Sequence, residues 1–179
     1  FTQTGYAKHV KEQKGYDDLL AKEISLEGKV YMVTGANSGV GFEVAQLVAR
    51  KGAATYLVCR NAKRGEQARQ AIVEATGNED VFLLLADVSL EADVRNLWVQ
   101  FESHSTEVRG LAALRLDALV TNAGALLNER TLSAEGVEIT FASHLLFGTY
   151  LLGKLAIPTL EATDGRMVVV SSGGMYNTK

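Results

Sequence analysis

The chain has 179 residues, 47% of them hydrophobic and 22% charged, which is enough apolar material for one domain with a real core. Its formal net charge of −3, with no basic block, gives no footing for nucleic acid, and every apolar stretch is broken by polar residues before membrane-spanning length. A single cysteine, Cys59, excludes an internal disulfide framework and fits a reducing compartment, in the cytoplasm or in an organelle.

Residues 1–28 read as an N-terminal surface extension. Val10, Leu19, Leu20 and Ile24 are the few apolar anchors in a polar stretch, as in one or two short helices lying on a domain. A membrane-surface helix is the other reading, with a thin apolar face. Residue 1 is Phe, which leaves room for a targeting segment removed in processing. Residues 29–179 then form a single domain. The run Val30–Val33 predicts a first strand over 29–34. Val40, Val44, Leu47 and Val48 recur at helical steps and predict a helix over 39–51, capped by Gly52. Residues 54–59 are near-continuously apolar, as in a buried parallel strand. A helix over 62–76 places Ala68, Ala71, Ile72 and Ala75 inward and ends at Gly77-Asn78. A third strand covers 81–86, and Ser89 is placed to cap the helix that follows to about residue 105. Strand four covers 116–121, a long helix runs from about 134 to 157 with Pro158 at its end, and strand five covers 166–171. Five strands alternating with helices imply an α/β fold, a doubly wound open parallel sheet with helices on both faces.

In such a sheet ligands bind beyond the carboxyl ends of the strands, so the strand ends carry the functional reading. After strand one come Gly35, Asn37, Ser38, Gly39, Val40 and Gly41. Gly35 allows a sharp turn off the strand, Gly39 leaves room for a pyrophosphate to approach the backbone, and Gly41 allows close helix packing. The free N–H groups at the helix start then face an anion. A glycine-rich turn without a ligand is the plain alternative. Strand two ends at Arg60 with no carboxylate nearby, and Arg64 lies one helical turn on. A guanidinium there suits a 2′-phosphate, whereas a carboxylate would favour the bare ribose; a merely solvated arginine is the alternative. Strand three ends in Asp87-Val88, and strand four in Thr121-Asn122-Ala123-Gly124.

Two of these motifs, Thr-Gly-x-x-x-Gly-x-Gly at 34–41 and Asn-Ala-Gly at 122–124, in order and on the right strands, resemble the short-chain dehydrogenases/reductases over roughly residues 29–172. The stretch from Val168 to Met175 is most similar to the subgroup of retinol-dehydrogenase-like reductases. The resemblance implies a Rossmann-type fold with five of its strands present and the C-terminal part of the family fold missing. It implies an NADP cofactor, with NAD as the alternative, and a small-molecule carbonyl or alcohol substrate. Asp87 would take the adenine amino group and Val88 lie on the ring, unless Asp87 only forms an Asx turn. Asn122, Ala123 and Gly124 would lie under the nicotinamide ribose. Ser172 would hold the substrate oxygen.

The chain departs from the family twice. The family's acid is a Tyr with a Lys four residues on, but Tyr176 and Lys179 are three apart and too close to Ser172, so the family pair is expected in a downstream segment. The family also keeps a relay Asn in the long helix. Counting from Phe141, the position holds His144; counting back from Gly148, it holds Leu145. His144 can act as a relay, since an imidazole both donates and accepts, or it can simply pack in a helix interface. Two functions therefore stand open: the cofactor-binding part of an NADP-dependent oxidoreductase, or a non-catalytic nucleotide-binding or structural subunit of a larger assembly. An exposed sheet edge beyond strand five would invite a protein partner or a second copy. Steroid, retinoid, lipid aldehyde and quinone substrates all fit.

Overall fold

The computed structural model describes residues 24–110 and 112–172. It separates into two units, residues 26–170, and residues 1–25 with 171–179. In the second unit Ile24, Ser25, Ser171 and Ser172 are described and have no regular secondary structure. The helices expected over most of the N-terminal extension, and Tyr176 with Lys179, lie outside the described residues.

The larger unit holds five parallel strands, β1 (Val30–Thr34), β2 (Ala54–Cys59), β3 (Val81–Leu85), β4 (Ala118–Thr121) and β5 (Arg166–Val169), in the order β3-β2-β1-β4-β5. The winding reverses between β1 and β4, which makes their carboxyl ends the switch point of the sheet. Side chains alternate across each strand and build a core on either face. Val33, Leu57, Cys59 and Val120 pack with the helices α1 (Gly39–Arg50) and α2 (Ala62–Thr76). Val30, Met32, Tyr56 and Leu119 pack with α3 (Glu91–Ser103) and the long helix after β4. Six of six residues in β2 are buried, as an interior parallel strand requires. The expected doubly wound α/β sheet is the observed fold.

Several local expectations give way to packing. The buried side of α1 is Gly41, Ala45, Val48 and Ala49, while Val40 and Leu47 are exposed: small residues bring this helix close to the sheet, and the larger ones are turned outward. In α2 the buried residues are Gly65, Ala68 and Ile72, with Ala71 and Ala75 outside. Gly52 and Gly77 do end their helices, donating to the carbonyls of Ala49 at 2.9 Å and Val73 at 2.8 Å. The long helix begins later than predicted and is built of three contiguous pieces, α4 (Ile139–Phe141), a π-helix (Ala142–Leu151) and α5 (Leu152–Ala162). Residues 133–137 form a tight turn instead, closed by the Ser133 N–H on the Val137 carbonyl at 2.7 Å, and Glu138 caps the helix by accepting from the N–H groups of Thr140 and Phe141. Pro158 lies inside α5 rather than at its end. It removes one helical donor, but Pro158 and Lys154 are both exposed, so water can serve the freed carbonyl. Strand four starts two residues later than predicted, because Asp117 turns its carboxylate back to the Val30 N–H at 2.9 Å. At the sheet edge Val168 and Val169 are about half exposed, at 48% and 52%. No helix among the described residues is long and apolar enough to cross a membrane.

Candidate functional site

A cleft of about 330 Å³ opens at the carboxyl ends of β1 to β4. Gly35, Asn37 and Ser38 line it from the loop after β1, and Arg60, Asn61 and Arg64 from the end of β2 and the start of α2. Asp87, Val88 and Ser89 come from β3, and Asn122, Ala123 and Gly124 from β4. Ile139 and Ser143 close the far side from the long helix. Nine of the expected cofactor residues thus meet in one cleft. Gly39, Val40 and Gly41 are not on its lining: they form the first turn of α1 behind the loop, with Val40 61% exposed and Gly41 buried.

The three loop glycines differ in what demands them. Gly35 turns off the strand at φ +68°, and an added Cβ would fall 2.9 Å from the Ala123 Cα. A Cβ on Gly41 would fall 2.5 Å from both the Asn122 Nδ2 and the Gly35 carbonyl oxygen. Both are required by the close approach of the loop to the end of β4. Gly39, at φ +57°, meets no protein atom within 4 Å, so the backbone conformation alone accounts for it within the protein. The start of α1 is left open: Ser38 makes no side-chain cap and the first turn carries no acid. Its N–H groups are therefore available to an anion.

Stitching at the switch point runs through Thr34. Its hydroxyl oxygen accepts from the N–H groups of Asn122 at 3.0 Å and Ala123 at 2.9 Å, and its carbonyl accepts from the Asn122 Nδ2 at 3.0 Å. Asn122 therefore ties the two strand ends together. Cys59 backs the loop from beneath; burial pushes its thiol up to about 11, against the N–H groups of Ala36 and Asn37, which pull the other way. Neither Thr34 nor Cys59 is marked as a site residue by sequence reasoning, because a hydroxyl that receives backbone N–H groups 88 and 89 positions away leaves no local signature.

Arg60 and Arg64 are exposed on the rim, and among the described residues neither guanidinium has an ion-pair partner. Asp87 does form the Asx-type turn, its Oδ1 accepting from the Ser89 N–H at 2.9 Å and hydroxyl at 2.7 Å. Ser89 is consequently not the cap of α3; Leu90 holds that position and offers no side-chain bond. His144 is exposed, and its imidazole lies directly on Gly124, so that a Cβ there would strike the ring. It is not among the residues that line the cleft, while its neighbour Ser143 is buried on the cleft wall, its hydroxyl donating to the Ile139 carbonyl at 2.7 Å. Ser172 is exposed and belongs to the smaller unit.

The family model for short chain dehydrogenases matches residues 29–177. The chain belongs to this family. Dehydrogenase/reductase SDR family member 12 of Bos taurus is 38% identical over 180 residues, covering 100% of this chain and 52% of that protein. Retinol dehydrogenase 11 of Mus musculus is 34% identical, over 86% of this chain and 46% of that one. Among solved structures, L-sorbose reductase from Gluconobacter frateurii, in complex with NADPH and L-sorbose, superposes with a TM-score of 0.66 at 25% identity, over 82% of this chain and 53% of that one. The chain spans about half the length of the curated relatives it matches. Membership places the chain in a family that works with NAD(P) on small molecules, and retinol dehydrogenases, the kind of reductase that residues 168–175 suggest, are among the relatives it matches.

Proposed function

We propose that this chain is the cofactor-binding part of an NADP-dependent short-chain oxidoreductase of the carbonyl reductase or alcohol dehydrogenase type. The observation that carries the reading is one cleft combining an uncapped helix start with two guanidinium groups that have no ion-pair partner among the described residues and no carboxylate at the end of β2. The residues present fit the cofactor. Gly35, Asn37, Ser38 and the α1 start would receive the pyrophosphate, Arg60 and Arg64 a 2′-phosphate, Asp87 and Val88 the adenine, and Asn122, Ala123 and Gly124 the nicotinamide ribose. Bound there, NADP(H) would supply or accept the hydride.

What the chain's own residues do is bind and orient. The Asp87 Oδ1 is occupied by Ser89, while its Oδ2 has no partner among the described residues and is free to accept from an amino group. Thr34 and Asn122 hold the β1 and β4 ends at a fixed separation, so the floor under the ribose is rigid before anything binds. Ser172 is the group proposed to stabilise the substrate oxygen, and His144 to move a proton beside Gly124. The NADPH complex of the sorbose reductase supports the phosphate-bearing cofactor by analogy.

The test is a pair of titrations. Arg60→Ala is expected to weaken NADPH binding by about tenfold or more, the scale of a lost charge-assisted hydrogen bond, and to leave NADH nearly unchanged. Equal losses for the two cofactors would remove the NADP assignment.

A further inference from the structure

Helix α3 starts at Glu91 without a cap of its own. Its first free N–H groups are received from far along the chain: the Glu135 Oε2 accepts from the Glu91 N–H at 2.7 Å, and its Oε1 from the Ala92 N–H at 3.1 Å. Glu135 stands at the tip of the turn that replaces the predicted helix start, a turn held by Gly136 N–H on the Ser133 carbonyl at 2.9 Å and by the bridge between Leu132 and Glu138.

The two ends of this clasp are continuous with two segments that line the cleft. On one side the Ile139 N–H donates to the Thr131 carbonyl at 2.9 Å, and Ile139 and Ser143 line the cleft. On the other, Asp93 in the first turn of α3 accepts from the Asp87 N–H at 2.9 Å, and Asp87, Val88 and Ser89 line the cleft. A carboxylate bidentate to two successive N–H groups restrains direction as well as distance, and it complements the positive end of the helix dipole. A Ser or Asp at position 90 would cap the helix equally well; only a residue on the loop after β4 can cap it and tie the walls together.

We infer that Glu135 is a positioning residue of the cleft, clasping the loop after β4 to the helix after β3 and so setting the spacing between the adenine side and the far wall. The inference rests on the cofactor reading of the cleft given above. It deepens that reading by assigning cofactor affinity in part to a residue that touches no cofactor.

Three variants separate clasp from cap: Glu135→Ala, Glu135→Gln, and Leu90→Asp combined with Glu135→Ala, which restores a local cap without the tether. Each is examined by amide hydrogen exchange of the free chain and by NADPH titration. Glu135→Ala is expected to speed exchange both at 91–95 and at 130–138, and to raise the NADPH Kd by about tenfold, the factor that a lost cap represents. Glu135→Gln, which keeps one acceptor, should fall between. The double variant should regain protection at 91–95 and thermal stability, yet keep fast exchange at 130–138 and weak NADPH binding. Recovery of binding in the double variant, or unchanged binding in Glu135→Ala, would reduce Glu135 to a helix cap and overturn the inference. If the unsubstituted chain binds no NADPH, the cofactor reading fails by itself. Exchange then judges the clasp: faster exchange at both segments upholds it, and at 91–95 alone overturns it.

Discussion

Substituting the two glycines that flank the start of α1 separates a residue needed by the protein from one needed by its ligand. In Gly41→Ala the new methyl group would lie 2.5 Å from the Gly35 carbonyl oxygen and from the Asn122 Nδ2. The carbonyl is backbone and cannot yield cheaply, and moving Asn122 breaks its 3.0 Å bond to the Thr34 carbonyl. Overpacking of about 1–3 kcal/mol plus a lost bond of about 1 kcal/mol gives an expected loss of about 2–4 kcal/mol. In Gly39→Ala no protein atom lies within 4 Å of the new methyl, and the penalty is the left-handed backbone at φ +57°, about 1 kcal/mol. NADPH affinity should rank the other way relative to stability. Gly39→Ala should lose at least about tenfold in affinity although it is the milder structural change, because the pyrophosphate is proposed to lie against that backbone. Urea denaturation followed by circular dichroism measures the first quantity and fluorescence titration of NADPH the second. An NADPH Kd in Gly39→Ala equal to that of the unsubstituted chain would show that this glycine serves only its turn and would refute the reasoning.

Two further outcomes are expected. Burial works to raise the Asp117 carboxyl, but the bonds from Arg115, from the Val30 N–H and from Lys29 outweigh it and hold the group below its usual range. Its contribution is therefore complete above about pH 4, the unfolded value, and is lost as pH falls through the lower folded value. Arg115 and Lys29 are 39% and 44% exposed, so Asp117→Asn should cost about 2 kcal/mol at pH 7, less than a fully buried pair, and the gap to the unsubstituted chain should close below about pH 4 in urea melts; a gap independent of pH would assign the loss to packing. The polypeptide of residues 1–179, finally, is expected to bind NADPH and yet show no measurable oxidation of it with aldehydes or ketones: the one Tyr-x-x-x-Lys in its sequence, Tyr150 to Lys154, precedes β5 and Ser172 instead of following them, and general acid catalysis contributes about 10²–10⁴-fold. Turnover by this polypeptide would bring Tyr176 back as the acid.

Local pattern made the sheet and most of the cleft legible. Apolar runs such as Ala54–Cys59 report burial on both faces directly, and glycines and asparagine at strand ends mark a switch point because few other residues tolerate its crowding. What stayed hidden depends on residues far apart in the chain. Ser89 looks like a cap because it precedes a helix, but Asp87 competes for its hydroxyl at 2.7 Å and Glu135 reaches the helix from 44 positions away. The buried face of α1 is set in a related way: periodicity weighs Val40 and Leu47 by hydrophobicity, whereas the sheet selects Gly41, Ala45 and Ala49 by size. Asp117 shortens β4 through a bond to Val30 that no local pattern reveals.

The ambiguity over the relay position has a structural origin of the same kind. Counted from Phe141 the position is His144, and counted from Gly148 it is Leu145, a difference of one residue. Between the two anchors the chain is wound as a π-helix, whose i→i+5 bonds enclose one residue more per turn than an α-helix. Two contacts show that winding. The Thr149 hydroxyl donates to the His144 carbonyl, five residues back, at 2.7 Å, and the Gly148 Cα faces the carbonyl of Ser143, again five residues back. Both anchors can then be correct together. Phe141 follows the Glu138 cap, and Gly148 lies against Val88, where a Cβ would meet its methyl at 3.3 Å. The extra residue is taken up between them, which places Ser143 on the cleft wall and sets the His144 imidazole on Gly124. A one-residue difference between the two counts is what such a winding absorbs.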